Sequence, residues 1–348
     1  MSLISQPLLT WWDQFGRKDL PWQHNKTAYS VWLSEIMLQQ TQVKTVIPYY
    51  QNFLTTFPTV KDLAEAKEDL VLQHWTGLGY YARARNLHKT AKLVHQQYNG
   101  QFPQDPLQLE SLPGIGRSTA GAIASSAYQQ PAAILDGNVK RVLTRVHGIT
   151  EWPGSSKALK TLWQLSEAET PNQRTADYNQ AMMDLGATLC RRNKPECDRC
   201  PLAANCFAAT NKLTLDIPAR KPKKTIPVKE RCFAIYVNPL NQVYLEKRPD
   251  SGIWGSLYSF PEFESLKELN EHLSLRGIKS TQTTLEPLVH KFSHYWLQIA
   301  PSRIQLSHEW HSIANDNSQW IAVTEAIQKL GLPAPIKSLL LQLDLDAQ

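Results

Sequence analysis

Long apolar runs, cysteines and alternating strand-like patterns are all scarce in the first two-thirds of this 348-residue chain. No stretch of about 18 apolar residues occurs, so no membrane-spanning helix is expected. The opening Met-Ser-Leu-Ile-Ser-Gln-Pro lacks a basic stretch followed by an apolar core, so a secretory leader is not expected either. Five cysteines are too few to staple a chain of this length. Internal repeats and low-complexity tracts are missing. With 42% apolar and 20% charged residues, what remains is a globular protein of two or three domains.

Charge is unevenly placed. Residues 1–228 hold 26 lysines and arginines against 18 aspartates and glutamates, and residues 229–348 hold 11 against 13. The basic excess therefore lies in the N-terminal two-thirds, as suits a surface that meets a polyanion.

Apolar residues in 1–213 recur at three- and four-residue steps: Trp12, Phe15, Trp32, Ile36, Val43 and Ile47, then similar patterns over 61–74, 83–98, 117–128 and 156–168. An all-helical domain is expected there. Residues 214–228 contain three prolines and a basic cluster and read as an extended linker. The texture then changes. Strands are expected at 232–237, 242–247 and 295–299, with helices near 264–275 and 320–343, which makes residues 229–348 an α+β domain. Cys232 sits in an expected strand as a small core residue.

The most informative stretch is 112–141. Leu112-Pro-Gly-Ile-Gly116 is a tight turn opening onto a helix-forming run. Gly114 and Gly116 let backbone N–H groups converge beside the positive end of a helix, which makes an anion cradle. No lysine of the mononucleotide-binding loop follows, so a DNA phosphate is the better guest. Asp136 lies twenty residues after Gly116, where a helix begins. It is a candidate N-cap and a candidate catalyst.

Four of the five cysteines, Cys190, Cys197, Cys200 and Cys206, are spaced C-x6-C-x2-C-x5-C. Four thiolates in one short loop can close around an iron–sulfur cubane or a tetrahedral zinc. Arg191, Arg192, Lys194 and Arg199 lie in the same loop and would present cations to phosphate.

Glycine hairpin, aspartate and cysteine spacing together resemble the helix–hairpin–helix DNA glycosylases of the endonuclease III superfamily. Residues 31–42 (VWLSEIMLQQTQ), 77–81 (GLGYY) and 179–186 (NQAMMDLG) resemble its adenine DNA glycosylase (MutY) branch. Leu245-Glu-Lys-Arg-Pro249 and residues 252–261 resemble the Nudix-like module of that family. The resemblance implies a multidomain chain. It would have an all-α glycosylase domain at 1–213 (hairpin about 108–128, [4Fe-4S] loop 190–206), a linker at 214–228, and a Nudix-like lesion-recognition domain at 229–348.

The implied reaction is hydrolytic removal of adenine mispaired with 8-oxoguanine, and with guanine, from double-stranded DNA during base excision repair. Adenine leaves readily only when N7 is protonated, so one carboxyl group must stay neutral near pH 7. Glu35, among Val31, Trp32 and Leu38 in an expected helix, meets that need, because apolar neighbours raise a carboxyl pKa. Asp136 would remain ionised and stabilise the oxocarbenium-like sugar. Ser118 stands where bifunctional relatives carry a lysine nucleophile; a serine forms no Schiff base, so strand cleavage is not expected.

By the same resemblance, Gln40 and Tyr80 would wedge into the vacated stack, Trp22 would pack on the flipped adenine, and Gln180 would hydrogen-bond its edge. Tyr80 and Tyr81 are both expected to be exposed. Phe292, Ser293 and His294 would read 8-oxoguanine. Glu262, Glu264, Glu268 and Glu271 do not form the metal-binding Nudix arrangement, so this module should read and not hydrolyse. The expected protein is a bacterial, cytoplasmic, nucleoid-associated monomer. Rival readings are an endonuclease III-like bifunctional glycosylase/lyase and a non-catalytic iron–sulfur DNA binder.

Overall fold

A computed structural model describes residues 2, 4–222, 225–278, 280–307 and 317–345. Lys223 and Lys224 of the expected linker lie outside the described residues. The chain divides into two compact units, Met1–Glu65 with Asn86–Lys223, and Ala66–Arg85 with Lys224–Gln348. No helix among the described residues is long and apolar enough to cross a membrane.

The helical region runs α1 (Ser5–Phe15), α2 (Ala28–Leu38), α3 (Val43–Thr56), α4 (Val60–Glu65), α5 (Glu68–His74), α6 (Ala82–Gln97), α7 (Pro106–Glu110), α8 (Arg117–Tyr128), α9 (Gly137–Val146), α10 (Ser156–Glu169), α11 (Thr175–Thr188) and α12 (Phe207–Thr210). The expected helical stretch at 61–74 is two helices, α4 and α5. Helix starts carry side-chain caps where the sequence supplies them: Thr27 and Ser30 form a reciprocal capping box on α2, Asp105 caps α7, and Ser155 caps α10.

One core of the first unit is built from Leu8 and Trp12 of α1, Val142 and Leu143 of α9, and Met182 and Leu185 of α11. Trp32 and Ile36 of α2 are also buried, as expected, and α2 packs along α8. Phe15 departs from its expected place on a core face: at the last turn of α1 it is 65% exposed. Gly121 of α8 allows a close approach, since a Cβ there would lie 2.3 Å from the Ala133 carbonyl oxygen.

The C-terminal region forms one mixed sheet of β1 (Val228–Val237), β2 (Gln242–Lys247), β3 (Tyr258–Ser259), β4 (Glu262–Phe263), β5 (Ser280–Thr284), β6 (Leu288–Lys291), β7 (Trp296–Leu306) and β8 (Ser318–Ala322). The main order is β3-β2-β1-β7-β5, with β8 on β2, β4 on β1 and β6 on β7. β1 and β7 run parallel from Val228↔Trp296 to Val237↔Gln305, and the other pairs are antiparallel. Cys232, Ala234 and Tyr236 share one face of β1 and cluster with Leu269 and Leu273 of α13 (Leu266–Leu275). The expected helix at 320–343 is instead the end of β8, then α14 (Val323–Lys329) and α15 (Ala334–Leu345). Residues 318–322 pair with 242–246, and Pro333 stands between the two helices.

Residues 66–85 pack within the second unit. Tyr81 is buried, against expectation, and its hydroxyl donates to the Leu332 carbonyl at 2.9 Å. Lys247 pairs with Asp69 at 2.6 Å, and Arg85 donates to the Gly255 carbonyl at 2.6 Å.

Candidate active site

Glu35 lies on the third turn of α2, in a run that is otherwise apolar apart from two serines. It lines a cavity of about 440 Å³ shared with Trp22, Gln40, Ser118, Asp136, Asn138 and Gln180. Packed around by protein, the carboxyl meets solvent through this cavity. Burial, then the negative charge of Asp136, push its pKa up to about 7. Both influences act in the same direction, so a large fraction of Glu35 carries its proton at neutral pH.

Asp136 is the N-cap of α9. Its Oδ1 accepts from the Val139 amide at 2.7 Å, and its Oδ2 accepts from Asn138 Nδ2 at 3.0 Å. Opposing influences act on this carboxyl. Burial raises it above the usual carboxylate range, while the Val139 and Asn138 hydrogen bonds and the Arg141 charge pull it back. The two carboxyls therefore differ in kind. Among the described residues, burial and the Asp136 charge both disfavour the Glu35 anion, whereas donors are aimed at the Asp136 anion.

The segment leading to Asp136 is fixed by Ser118 near the start of α8, whose hydroxyl accepts the Leu135 N–H at 3.0 Å. Asn138 is fixed in turn. Its Oδ1 accepts from Arg141 Nη2 at 2.9 Å, and the same Arg141 reaches the Gly186 and Cys190 carbonyls at 2.7 Å each. The Ser118–Leu135 and Arg141–Gly186/Cys190 supports were not readable in the sequence, because packing brings their partners together.

Cys190, Cys197, Cys200 and Cys206 line one small cavity. Burial and neighbouring thiols push Cys200 up to about 12, and Cys197 and Cys206 are raised too. A compensating positive group would have to hold these sulfurs as thiolates. Four thiols around a shared void fit a thiolate-ligated metal centre. Arg145 is fully buried beneath the loop and donates to Cys190 Sγ at 3.3 Å and to the carbonyls of Arg191, Arg192, Thr214 and Ile217. Arg191 and Arg199 both pair with Glu196, so part of the expected cationic face is neutralised within the loop.

Trp22 is buried edge-on to Tyr50, with ring centroids 5.5 Å apart, and forms one wall of the cavity. On another wall, Gln180 Nε2 donates to Asp184 Oδ1 at 2.9 Å.

In the hairpin, Gly114 has φ +78°, and a Cβ there would meet Asn86 Cβ at 2.9 Å. Gly116 has an ordinary φ of −93° and open space around it. It is the N-cap of α8 and supplies no side chain to satisfy the first N–H groups of that helix. Gln40 and Tyr80 both adopt the left-handed backbone conformation, at φ 58° and 50°, which is uncommon outside glycine. Tyr80 is 53% exposed, and its turn is braced by Trp75 and Arg83, both of which donate to the Gly79 carbonyl.

In the second unit, Ser293 and His294 are exposed at a tight turn closed by Phe292 N–H donating to the Tyr295 carbonyl at 2.9 Å. Phe292 is partly covered, with its ring centroid 4.6 Å from His290, 4.9 Å from Tyr295 and 5.4 Å from Trp254. Glu262 accepts from both Arg231 and Arg248, Glu268 closes the N-terminus of α13, and Glu271 pairs with Lys267. These acids are thus occupied by protein partners.

Residues 33–168 match the HhH-GPD superfamily of base excision DNA repair proteins, and residues 232–342 match the NUDIX domain. An adenine DNA glycosylase of Buchnera aphidicola subsp. Acyrthosiphon pisum is 42% identical over 97% of both chains. The Mus musculus adenine DNA glycosylase is 35% identical, covering 91% of this chain and 73% of the relative. A thermostable thymine-DNA glycosylase superposes with a TM-score of 0.53 at 28% identity, over 60% of this chain and 95% of the other. An endonuclease III–DNA complex, at TM-score 0.50 and 23% identity, shares the fold.

Proposed function

Since the chain belongs to the adenine DNA glycosylase family, and is therefore a DNA N-glycosylase, we propose that its cavity receives adenine mispaired with 8-oxoguanine or guanine and releases the base by hydrolysis. The observation that carries this reading is the pairing of unlike carboxyls on one cavity: Glu35 raised to about 7 and Asp136 wrapped by donors.

Glu35 gives its proton to N7 of the flipped adenine, which turns the base into a competent leaving group. As the N-glycosidic bond breaks, its electron pair leaves with the base and positive charge develops on the sugar. Asp136, held as an anion by Val139 and Asn138, stabilises that charge until water adds to the sugar, and the proton the water loses restores the Glu35 acid. Trp22 packs on the base and Gln180 hydrogen-bonds its edge. Ser118 has no amine, so the product is an abasic site in an intact strand. The first N–H groups of α8, with Gly114 and Gly116, hold a backbone phosphate. Gln40 and Tyr80 fill the space the base leaves, and Phe292, Ser293 and His294 contact the oxidised guanine.

Cys190, Cys197, Cys200 and Cys206 would hold a [4Fe-4S] cluster, which when bound would close the 190–206 loop and offset the burial of its thiolates. We place the glycosylase domain at 1–213, the linker at 214–228 and the lesion-reading domain at 229–348, in a monomer acting on nucleoid DNA in the cytoplasm.

End-labelled duplex carrying 8-oxoguanine opposite adenine tests the proposal. The expected result is adenine release, with strand scission only after alkali. Scission without alkali favours a lyase, and no release overturns the reading.

A further inference from the structure

Gln180 is a side chain whose amide could point either way, and the direction decides which bases it accepts. A carbonyl oxygen facing the cavity takes a hydrogen bond from an exocyclic amine. An NH2 facing the cavity gives one to an exocyclic keto oxygen. The sequence offers no means of choosing between them.

Asp184 settles the direction. It lies one helical turn after Gln180 on α11, with its side chain fully buried. Its carboxylate is saturated with donors. Oδ1 accepts from Arg17 Nε at 2.9 Å, Arg17 Nη2 at 2.6 Å and Gln180 Nε2 at 2.9 Å. Oδ2 accepts from Trp12 Nε1 at 3.1 Å and the Arg17 amide at 2.9 Å. An ionised carboxylate only accepts, so it holds the NH2 end of the Gln180 amide and repels the oxygen end. Arg17 thus places two guanidinium nitrogens on Oδ1 and its own amide on Oδ2. Gln180 Oε1 has no protein partner among the described residues, and Gln180 lines the cavity with Arg17, Trp22 and Glu35.

We propose that Asp184, anchored by Arg17 and Trp12, is a positioning residue that fixes the Gln180 carbonyl toward the bound base and thereby selects 6-amino purines over 6-keto purines. This rests on Gln180 contacting the base, as in the proposed function, and adds the reason for its polarity. A 6-amino group donates to the fixed oxygen. A 6-keto oxygen would face another oxygen with no proton between them, leaving both buried acceptors unpaired.

The test is single-turnover excision from duplexes carrying adenine, unsubstituted purine or hypoxanthine opposite guanine. Each rate is divided by that of acid hydrolysis of the same nucleoside, which removes intrinsic bond lability. The unaltered enzyme should rank amino above unsubstituted above keto, with adenine preferred over hypoxanthine by at least about tenfold. In Asp184→Asn, whose side chain can donate to Gln180 Oε1, the amide is free to turn and the preference should shrink by about tenfold or more. Gln180→Leu should flatten the series as well. If Gln180→Leu keeps the parental ranking, Gln180 does not contact the base and that part of the proposed function fails. If Gln180→Leu flattens the series while folded Asp184→Asn keeps it, the Asp184 inference is overturned. Should Asp184→Asn not fold, as judged by far-ultraviolet circular dichroism, the parental series decides: equal normalised rates for adenine and hypoxanthine overturn the inference.

Discussion

The Ser118 hydroxyl accepts the Leu135 N–H at 3.0 Å, which ties the start of α8 to the residue immediately before Asp136. Ser118 thus anchors the segment that carries the second carboxyl of the proposed site. Ser118→Ala would leave a buried N–H unpaired and is expected to lower stability by about 1–2 kcal/mol. Adenine excision should slow because Asp136 loses its fixed position, while the strand remains uncut. Urea unfolding and the labelled-duplex assay check the two parts.

The unlike carboxyls set a pH dependence. Glu35 is active as the acid, so excision should decline as pH rises through about 7. Asp136 is active as the anion, so excision should also decline in acid, with that limb above the ordinary carboxylate range. Stability carries the same signature. The unfolded chain loses the Glu35 proton near 4.5 and the folded chain near 7, so stability falls as pH rises across that interval. Glu35→Gln should therefore match its parent near pH 4 and exceed it at pH 8 by up to roughly 3 kcal/mol.

The two hairpin glycines should respond differently. Gly114→Ala must place a side chain at φ +78° and 2.9 Å from Asn86 Cβ, and is expected to destabilise the fold by roughly 1–3 kcal/mol. Gly116→Ala meets open space at an ordinary φ, so the fold should stand. Its methyl group would occupy room proposed for a phosphate, and DNA affinity should fall. Thermal unfolding paired with fluorescence anisotropy on duplex DNA separates the cases.

Tyr80→Ala should leave the unfolding transition unchanged, since its ring is half exposed. Excision should slow by about tenfold or more through loss of a stacking surface of roughly 1–3 kcal/mol. Rapid-quench single-turnover kinetics give that rate. Recovery with Tyr80→Trp would identify stacking as the cause.

Much of this was legible in the chain itself because it depends on local pattern. Helical periodicity, the Asp136 cap and the cysteine spacing are short-range features. Glu35 stood out as an acid in an apolar run without a local partner. The polar supports behind these residues were not legible. Arg17 meets Asp184 across 167 residues and Ser118 meets Leu135 across 17, and neither pairing leaves a periodic trace. The one-turn spacings of Gln180 with Asp184 and of Asn138 with Arg141 are local, but the first lacks meaning without Arg17 and the second without the Gly186 and Cys190 carbonyls. Residues 320–322 were misread as helical for a similar reason: their strand state comes from pairing with 242–244. Tyr81, adjacent to the exposed Tyr80, is buried because its hydroxyl reaches the Leu332 carbonyl, 251 positions away.

The central claim is that Glu35 holds a proton at neutral pH. Carbon-13 carboxyl NMR on glutamate-labelled protein, with Glu35→Gln assigning the resonance, measures this directly in complex with a non-cleavable duplex. A single titration centred near pH 7 is the result the account predicts. A Glu35 carboxyl already ionised at pH 6, with excision at that pH undiminished, would contradict it.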